Sequence, residues 1–320
     1  MRSKTANRDF WFVWMMRGLL FASVMPLLPV AQSKSVTASE GETFPTAQAA
    51  ADALVDASAR HDPYALLKIF GQDAHDLLFT NEPPLDAQRV EEFAAQAHKK
   101  MSISMEPNNG NHAYILVGEG EWPFPIPLVQ VGGKWHFDTA AGSKEVLYRR
   151  IGRNELDAIQ ICYGFVDAQH DYAFKKRAGY DVNQYAQRII STPGTQDGLA
   201  WQNKDGSWGG PIGEKIALAI AEGYNNNKDT PYHGYYFKVL KGQGPAAPLG
   251  QMDYVIKGIM IGGFALVASP AEYRVTGVKT FMVSQDGVVW QKDLGPTTVD
   301  QFKAMEWFNP DKTWTPVQDQ

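Results

Sequence analysis

Cysteine is almost missing from this chain: Cys162 is the only one in 320 residues. One thiol cannot close an intramolecular disulfide, so oxidising surroundings would add no covalent brace. Basic clusters are scarce as well. None is longer than Lys175-Lys176-Arg177, and the formal charge is −5. An acidic chain repels phosphate backbones, which argues against a nucleic-acid partner. Metal spacing is absent too. There is no His-Glu-x-x-His, and His61, His75, His98, His112, His136, His170 and His233 stand singly, so no metal site is expected. Asn203-Lys204-Asp205-Gly206 imitates the middle of a calcium loop, but Trp201 and Ile212 occupy its first and twelfth ligand positions. Neither Gly-x-Ser-x-Gly nor Ser-x-x-Lys occurs. Gly242 to Ala247 has the letters of a dinucleotide fingerprint, yet Pro245 and Pro248 block the helix that would bind pyrophosphate. No cofactor is expected.

What is present begins with an address. Arg2, Lys4, Arg8 and Arg17 precede an uncharged run from Gly18 to Ala31, and Ala31-Gln32-Ser33 offers small residues at the positions a signal peptidase reads. The run is short for a membrane span. A span over Phe10 to Ala31 would hold Arg17 near its middle, at a cost of about 2.5–3.5 kcal/mol. Residues 1–33 are therefore expected to be a cleaved signal peptide, with Met15 or Met16 as alternative starts. The exported chain, with a net charge of −8 once the +3 of the leader is removed, is expected in the periplasm or outside the cell. No later segment approaches 18 apolar residues, so no membrane contact is expected after cleavage.

The rest reads as α+β, helices first and antiparallel strands afterwards. Residues 34–43 form a polar lead-in, and 44–150 a first domain. Ala47, Ala50, Ala51, Leu54 and Ser58 recur at helical spacing, Asp62-Pro63 starts a second helix that Gly71 ends, and Asp86 opens a third. Hairpins follow around Pro107 to Gly110 and around Gly132-Gly133. Trp122 to Pro127 has proline at alternate positions, which confines it to an edge or a crossover. Residues 151–178 read as a long connecting helix, with Leu156, Ile159, Cys162, Tyr163 and Val166 on one face. Residues 179–320 form a second α+β domain. There Ile212, Ile216, Ala219 and Ile220 mark one more helix, and strands run to the end of the chain as an antiparallel sheet.

Several clusters in the second half resemble one family. Tyr185-Ala186-Gln187-Arg188, Ser191-Thr192-Pro193-Gly194 and Asp197-Gly198-Leu199-Ala200-Trp201 make one. Gly234 to Leu240 with Gln243 to Pro248 make another, followed by Gly262 to Ala268, Pro270-Ala271-Glu272-Tyr273, and Asp286 to Val289 with Lys292-Asp293-Leu294-Gly295. Together they resemble the bacterial exported proteins grouped as domain-of-unknown-function family 2950. That resemblance implies export and a shared fold, and no reaction. At the level of fold alone, residues 44–140 look like the cone of nuclear transport factor two and ketosteroid isomerase, and the last strands look like pilin-type carboxy-terminal sheets.

Two sets of residues could carry chemistry. Glu119 and Glu121 would share one face of a strand, as would His136 and Asp138 on the next hairpin. Lining a cone, they could act as acid and base in a hydrolase or isomerase. Trp201, Asn203, Asp205 and Trp208 lie in a Gly-rich loop, where rings could stack on a sugar while amide and acid hydrogen-bond to it. Both rings are large enough to need burial, which favours their anchoring the loop on the core. Cys162 faces inward and should be inert. The reading is an exported binding or scaffolding protein with an envelope glycan or protein as partner. The alternatives are the hydrolase or isomerase and a pilin-like assembly component.

Overall fold

A computed structural model describes residues 41–80, 82–176, 181–212 and 231–318. The signal-peptide reading, most of the lead-in and the helix drawn through Ile216 and Ile220 lie outside these residues. The fold is α+β, with helices and antiparallel sheets in two compact units. One unit holds the described residues up to Leu78 with Arg89–Gly142; the other holds Phe79–Gln88 with residues from Ser143 onward.

In the first unit, α1 (Ala47–Ala59) is capped by Thr46, whose hydroxyl accepts from Ala49 N at 3.0 Å. Its inner face is Ala50, Ala51 and Leu54. α2 (Pro63–Phe70) starts where Asp62 accepts from Ala65 N and stops at Gly71, whose φ of 85° suits a residue without Cβ. A 3₁₀ turn, Gln72–Ala74, runs into the single-turn α3 (His75–Leu78). α4 (Pro83–Lys99), which belongs to this unit from Arg89 onward, begins three residues before Asp86. The Asp86 carboxylate instead reaches back to Thr80 N and Oγ1, both at 2.8 Å.

The strands are β1 (Met101–Glu106), β2 (Asn109–Val117), β3 (Trp122–Pro123), β4 (Leu128–Val131) and β5 (Lys134–Phe137). Their order is β1-β2-β4-β5, with β3 paired to β2. Gly132 and Gly133 both have positive φ and close the β4–β5 hairpin as a primed two-residue turn. Behind the sheet the space is filled by phenylalanines. Phe70 stacks on Phe124 at 6.0 Å between ring centroids and meets Phe137 edge-on at 4.9 Å, while Phe93 lies 5.2 Å from Phe124.

α5 (Thr139–Ala173) starts twelve residues before the apolar spacing at Ile151. Asp138 caps it, its carboxylate accepting from Ala141 N at 2.9 Å. In the second unit its inner face carries Ala158, Cys162, Phe165 and Tyr172. β6 (Arg188–Ile190) runs parallel to β7 (Gly198–Gln202), and β7 pairs with β8 (Trp208–Gly209). The main sheet begins at β9 (Tyr235–Leu240). Two short hairpins follow: β10 (Gly242–Gln243) pairs with β11 (Met252–Asp253), and β12 (Val255–Ile256) with β13 (Ile259–Met260). Then come β14 (Ala265–Pro270), β15 (Lys279–Ser284) and β16 (Trp290–Asp293). A helix, α6 (Thr298–Ala304), follows where the sequence reading places only strands, and β17 (Thr315–Pro316) closes the order β17-β16-β15-β14-β9.

β14 is buried at all six positions, with Phe165 of α5 against Phe264 at its start and α6 packed along the strand. α6 is held by tertiary contacts more than by propensity. Phe302 stacks on Tyr236, Thr298 hydrogen-bonds Thr280 at 2.9 Å, and Lys238 Nζ donates to the Phe302 and Lys303 carbonyls at its end. No helix among the described residues is long and apolar enough to cross a membrane.

Candidate functional site

The four acid–base candidates of the first unit do not converge. Glu119 and Glu121 sit in the turn after β2, not on a strand, and both are exposed. Glu121 has φ of 52° and pairs with Lys100 Nζ at 2.7 Å. That hydrogen bond and charge attraction hold the Glu121 carboxyl below its ordinary range and the Lys100 ammonium above its own. His136 is half-buried on β5 opposite Val129. Asp138 lies beyond the strand end, its carboxylate taken up by the α5 cap. Phe70, Phe93, Phe124 and Phe137 form a quartet in ring contact within the same unit.

The tryptophan segment is a hairpin, not an open loop. Trp201 faces Gly209 and Gln202 faces Trp208 across β7 and β8. Its tip is braced from inside. Asp205 Oδ1 accepts from Ser207 N at 3.0 Å and Ser207 Oγ at 2.6 Å, and Asn203 Nδ2 donates to Ser207 Oγ at 3.0 Å. The Ser207 hydrogen bonds hold the Asp205 carboxyl below its usual range. Asn203 and Asp205 therefore fix the turn, where the sequence reading has them contacting ligand. The two rings differ. Trp201 packs on the hydrophobic core and lies so close to Gly209 that a Cβ there would come within 2.7 Å of its Nε1. Trp208 is half-exposed and is not among the side chains packed on that core.

Just upstream, Asp197 closes the Thr192–Asp197 turn. It accepts from Thr192 N at 2.7 Å, Thr192 Oγ1 at 2.9 Å and Thr195 Oγ1 at 2.9 Å, and Arg188 Nε lies 3.3 Å away. Partial burial pushes its carboxyl upward, but the three hydrogen bonds and the guanidinium together leave it lowered.

A third cluster has no mark in the sequence. His233 Nδ1 meets Asp157 Oδ2 at 2.7 Å, both side chains mostly buried. His233 and Gly234 occupy the centre of a primed turn between Tyr232 and Tyr235, with φ of 51° and 75°. Gly234 N donates to the Glu82 carboxylate, and the Tyr232 ring lies 4.4 Å from the imidazole. Burial, with the Asp157 and Glu82 charges, raises the Tyr232 hydroxyl. A carboxylate on Nδ1 orients the ring, the arrangement of a base with its orienting acid. Asp157 and His233 are 76 residues apart; only a His-Gly pair before a strand hints at the turn.

Cys162 is fully buried, and burial pushes its thiol up to about 12. At neutral pH the thiolate that reacts is essentially unpopulated. Native protein should resist a maleimide that labels it fully in denaturant. Cys162→Ser should cost about 1–3 kcal/mol by burying an unpaired hydroxyl, measured by urea unfolding. Rapid native labelling would contradict the packing of α5.

No curated protein and no solved structure matches this chain. The profile of the family described as "Protein of unknown function (DUF2950)" does match, over residues 41–317. With nearly the whole described region inside that match, the chain belongs to the DUF2950 family.

Proposed function

We propose that this is an exported envelope protein that works by binding, and that Trp208 on its braced hairpin is the contact for a glycan. The observation that carries this reading is the unequal placement of the two tryptophans. Both rings are partly exposed, but Trp201 packs on the core, whereas Trp208 stands on a turn stiffened by Asn203, Asp205 and Ser207. An aromatic face held on a rigid element binds at low entropic cost, and a tryptophan face suits the C–H side of a sugar ring. The basic leader and the small residues at Ala31 and Ser33 support export.

The test separates the rings. Trp208→Ala should change stability by less than about 1 kcal/mol while abolishing retention on immobilised envelope glycan. Trp201→Ala should cost about 3 kcal/mol, as truncation of a core-packed aromatic does. Loss of stability in Trp208→Ala with retention intact would defeat the reading. Amino-terminal sequencing of the mature protein should begin at or near Lys34; an intact leader in the membrane fraction would defeat export.

A further inference from the structure

β1 ends its sheet among the described residues, and five of its six residues read the same in both directions. It pairs with β2 on one side, and among the described residues no strand pairs with the other. Residues 100–106 read Lys-Met-Ser-Ile-Ser-Met-Glu, so the five between the charges are a palindrome centred on Ile103.

Most edges are protected against such pairing by proline, inward charge or extreme shortness. Met101 to Met105 contains no proline or charge. The one protective device is a bulge between Met105 and Glu106, which ends the regular ladder at Met105.

The backbone parity fits as well. Lys100 O accepts from Gly118 N at 2.9 Å, which makes the even-numbered residues of β1 the ones bonded to β2. On the other face of β2, Ile115 O accepts from Phe124 N at 2.7 Å, so Ile115, the partner of Ile103, turns its backbone away from β1. By alternation, the N–H and C=O groups of Met101, Ile103 and Met105 point to the open edge.

We infer that β1 is the contact through which two copies of this chain associate, pairing antiparallel about a twofold axis at Ile103. In that register Ile103 faces its own copy, Met101 faces Met105, Ser102 faces Ser104, and Lys100 of each copy faces Glu106 of the other, each charge being shared with its neighbour in the same chain, Glu121 for Lys100 and His112 for Glu106. The residues that meet in hydrogen-bonded pairs are the odd ones whose backbone groups are turned outward. Side chains follow the same logic. Met101, Ile103 and Met105 lie opposite Val117, Ile115 and Ala113, the buried face of β2. Pairing therefore extends one apolar face across the axis, and Met105, 45% exposed in one chain, is covered by Met101 of the other. A different register loses part of this match. A shift of one residue pairs odd positions with even ones and mismatches the backbone groups, while a shift of two, which centres the axis on Ser102 or Ser104, keeps that parity but leaves a methionine without an apolar partner and separates Lys100 from Glu106. The second copy is thus the occupant to which sequence, charge and backbone parity all point, independently of the hairpin reading above.

Sedimentation equilibrium of the full chain should show a concentration-dependent shift from monomer to dimer. Glu106→Lys places two lysines against two lysines and should weaken the dimer about tenfold, since two cross-strand ion pairs turn repulsive. Lys100→Glu should do the same, and the double swap should restore affinity to within about threefold, as it recreates both pairs. Both side chains are well exposed, so folding should survive. A second measurement covers the register. Ile103→Cys puts two thiols about 5.5 Å apart at Cα, within disulfide reach, and mild oxidation should link the dimer; Cys162 is buried and silent. Val131→Cys, on an exposed residue at the far end of β4, should not link. A monomer at every concentration, single charge reversals without effect, or equal cross-linking at Val131 and Ile103 would each overturn the inference.

Discussion

Phe70→Ala should destabilise the first unit by about 3–5 kcal/mol, the usual cost of truncating a core aromatic. The side chain is 5% exposed, stacks on Phe124 and meets Phe137 edge-on, so its removal opens a void that these two rings line. Part of the loss is area removed from the core, and part is the pair energy of ring contacts, about 0.5–1.5 kcal/mol each. The neighbouring backbone is also fixed, because the Phe70 carbonyl accepts from Thr139 Oγ1 at 2.7 Å, and that limits collapse around the void. Phe70→Leu should cost less, about 1.5 kcal/mol, because it keeps most of the volume. Urea unfolding should show the midpoint falling with an unchanged slope. A loss under about 1 kcal/mol for the alanine variant would mean the quartet does not hold the helices to the sheet.

Gly234→Ala should cost about 2–4 kcal/mol, combining the left-handed backbone penalty with a clash. Its φ is 75°, and a Cβ there would strike Asn154 Nδ2 and lie 3.0 Å from Thr276 Cβ. Asn154 cannot easily yield: it is 2% exposed and donates to Thr276 O at 2.9 Å. Displacing the turn would also pull His233 from Asp157 and Gly234 N from Glu82. The internal comparison is Gly206→Ala at the hairpin tip. There φ is similar, 86°, but a Cβ meets nothing within 4 Å, so only the backbone term of about 1–2 kcal/mol applies. Equal losses in the two variants would show that the Gly234 turn is not wedged as described.

The legible parts of the fold were those with local causes. Asp62-Pro63 and Gly71 bracket α2 because cap and stop chemistry acts within a turn, and Gly132-Gly133 marks its hairpin for the same reason. α5 begins twelve residues before the helix the apolar spacing predicts. The stretch from Ser143 to Arg150 carries too many polar residues for an apolar spacing to show, although Asp138 before Thr139 is a cap signal in its own right. α6 leaves no periodic mark because seven residues span two turns, too few to display a period; Lys238 and Tyr236 of a distant strand hold it. At the candidate sites the limit was different. Asp157 and His233 meet only through the tertiary fold. What distinguishes Trp201 from Trp208 is a ring lying on Gly209, and two tryptophans in one glycine-rich stretch look alike until that contact is made.

Gln169 on α5 is fully buried, and its side-chain amide both donates to Ala186 O and accepts from Ala186 N, each at 2.8 Å. A primary amide has the same donor and acceptor spacing as a peptide unit, so the helix lends Ala186 a surrogate ladder partner where no strand passes. The consequence is positional. Sliding the chain by one residue would bring Tyr185 or Gln187 to an amide that can bond only one peptide unit at a time, leaving Ala186 buried with two unmet polar groups. A single helical side chain thereby indexes the entry to β6, and through it the alignment of the parallel pair with β7 that carries the tryptophan hairpin.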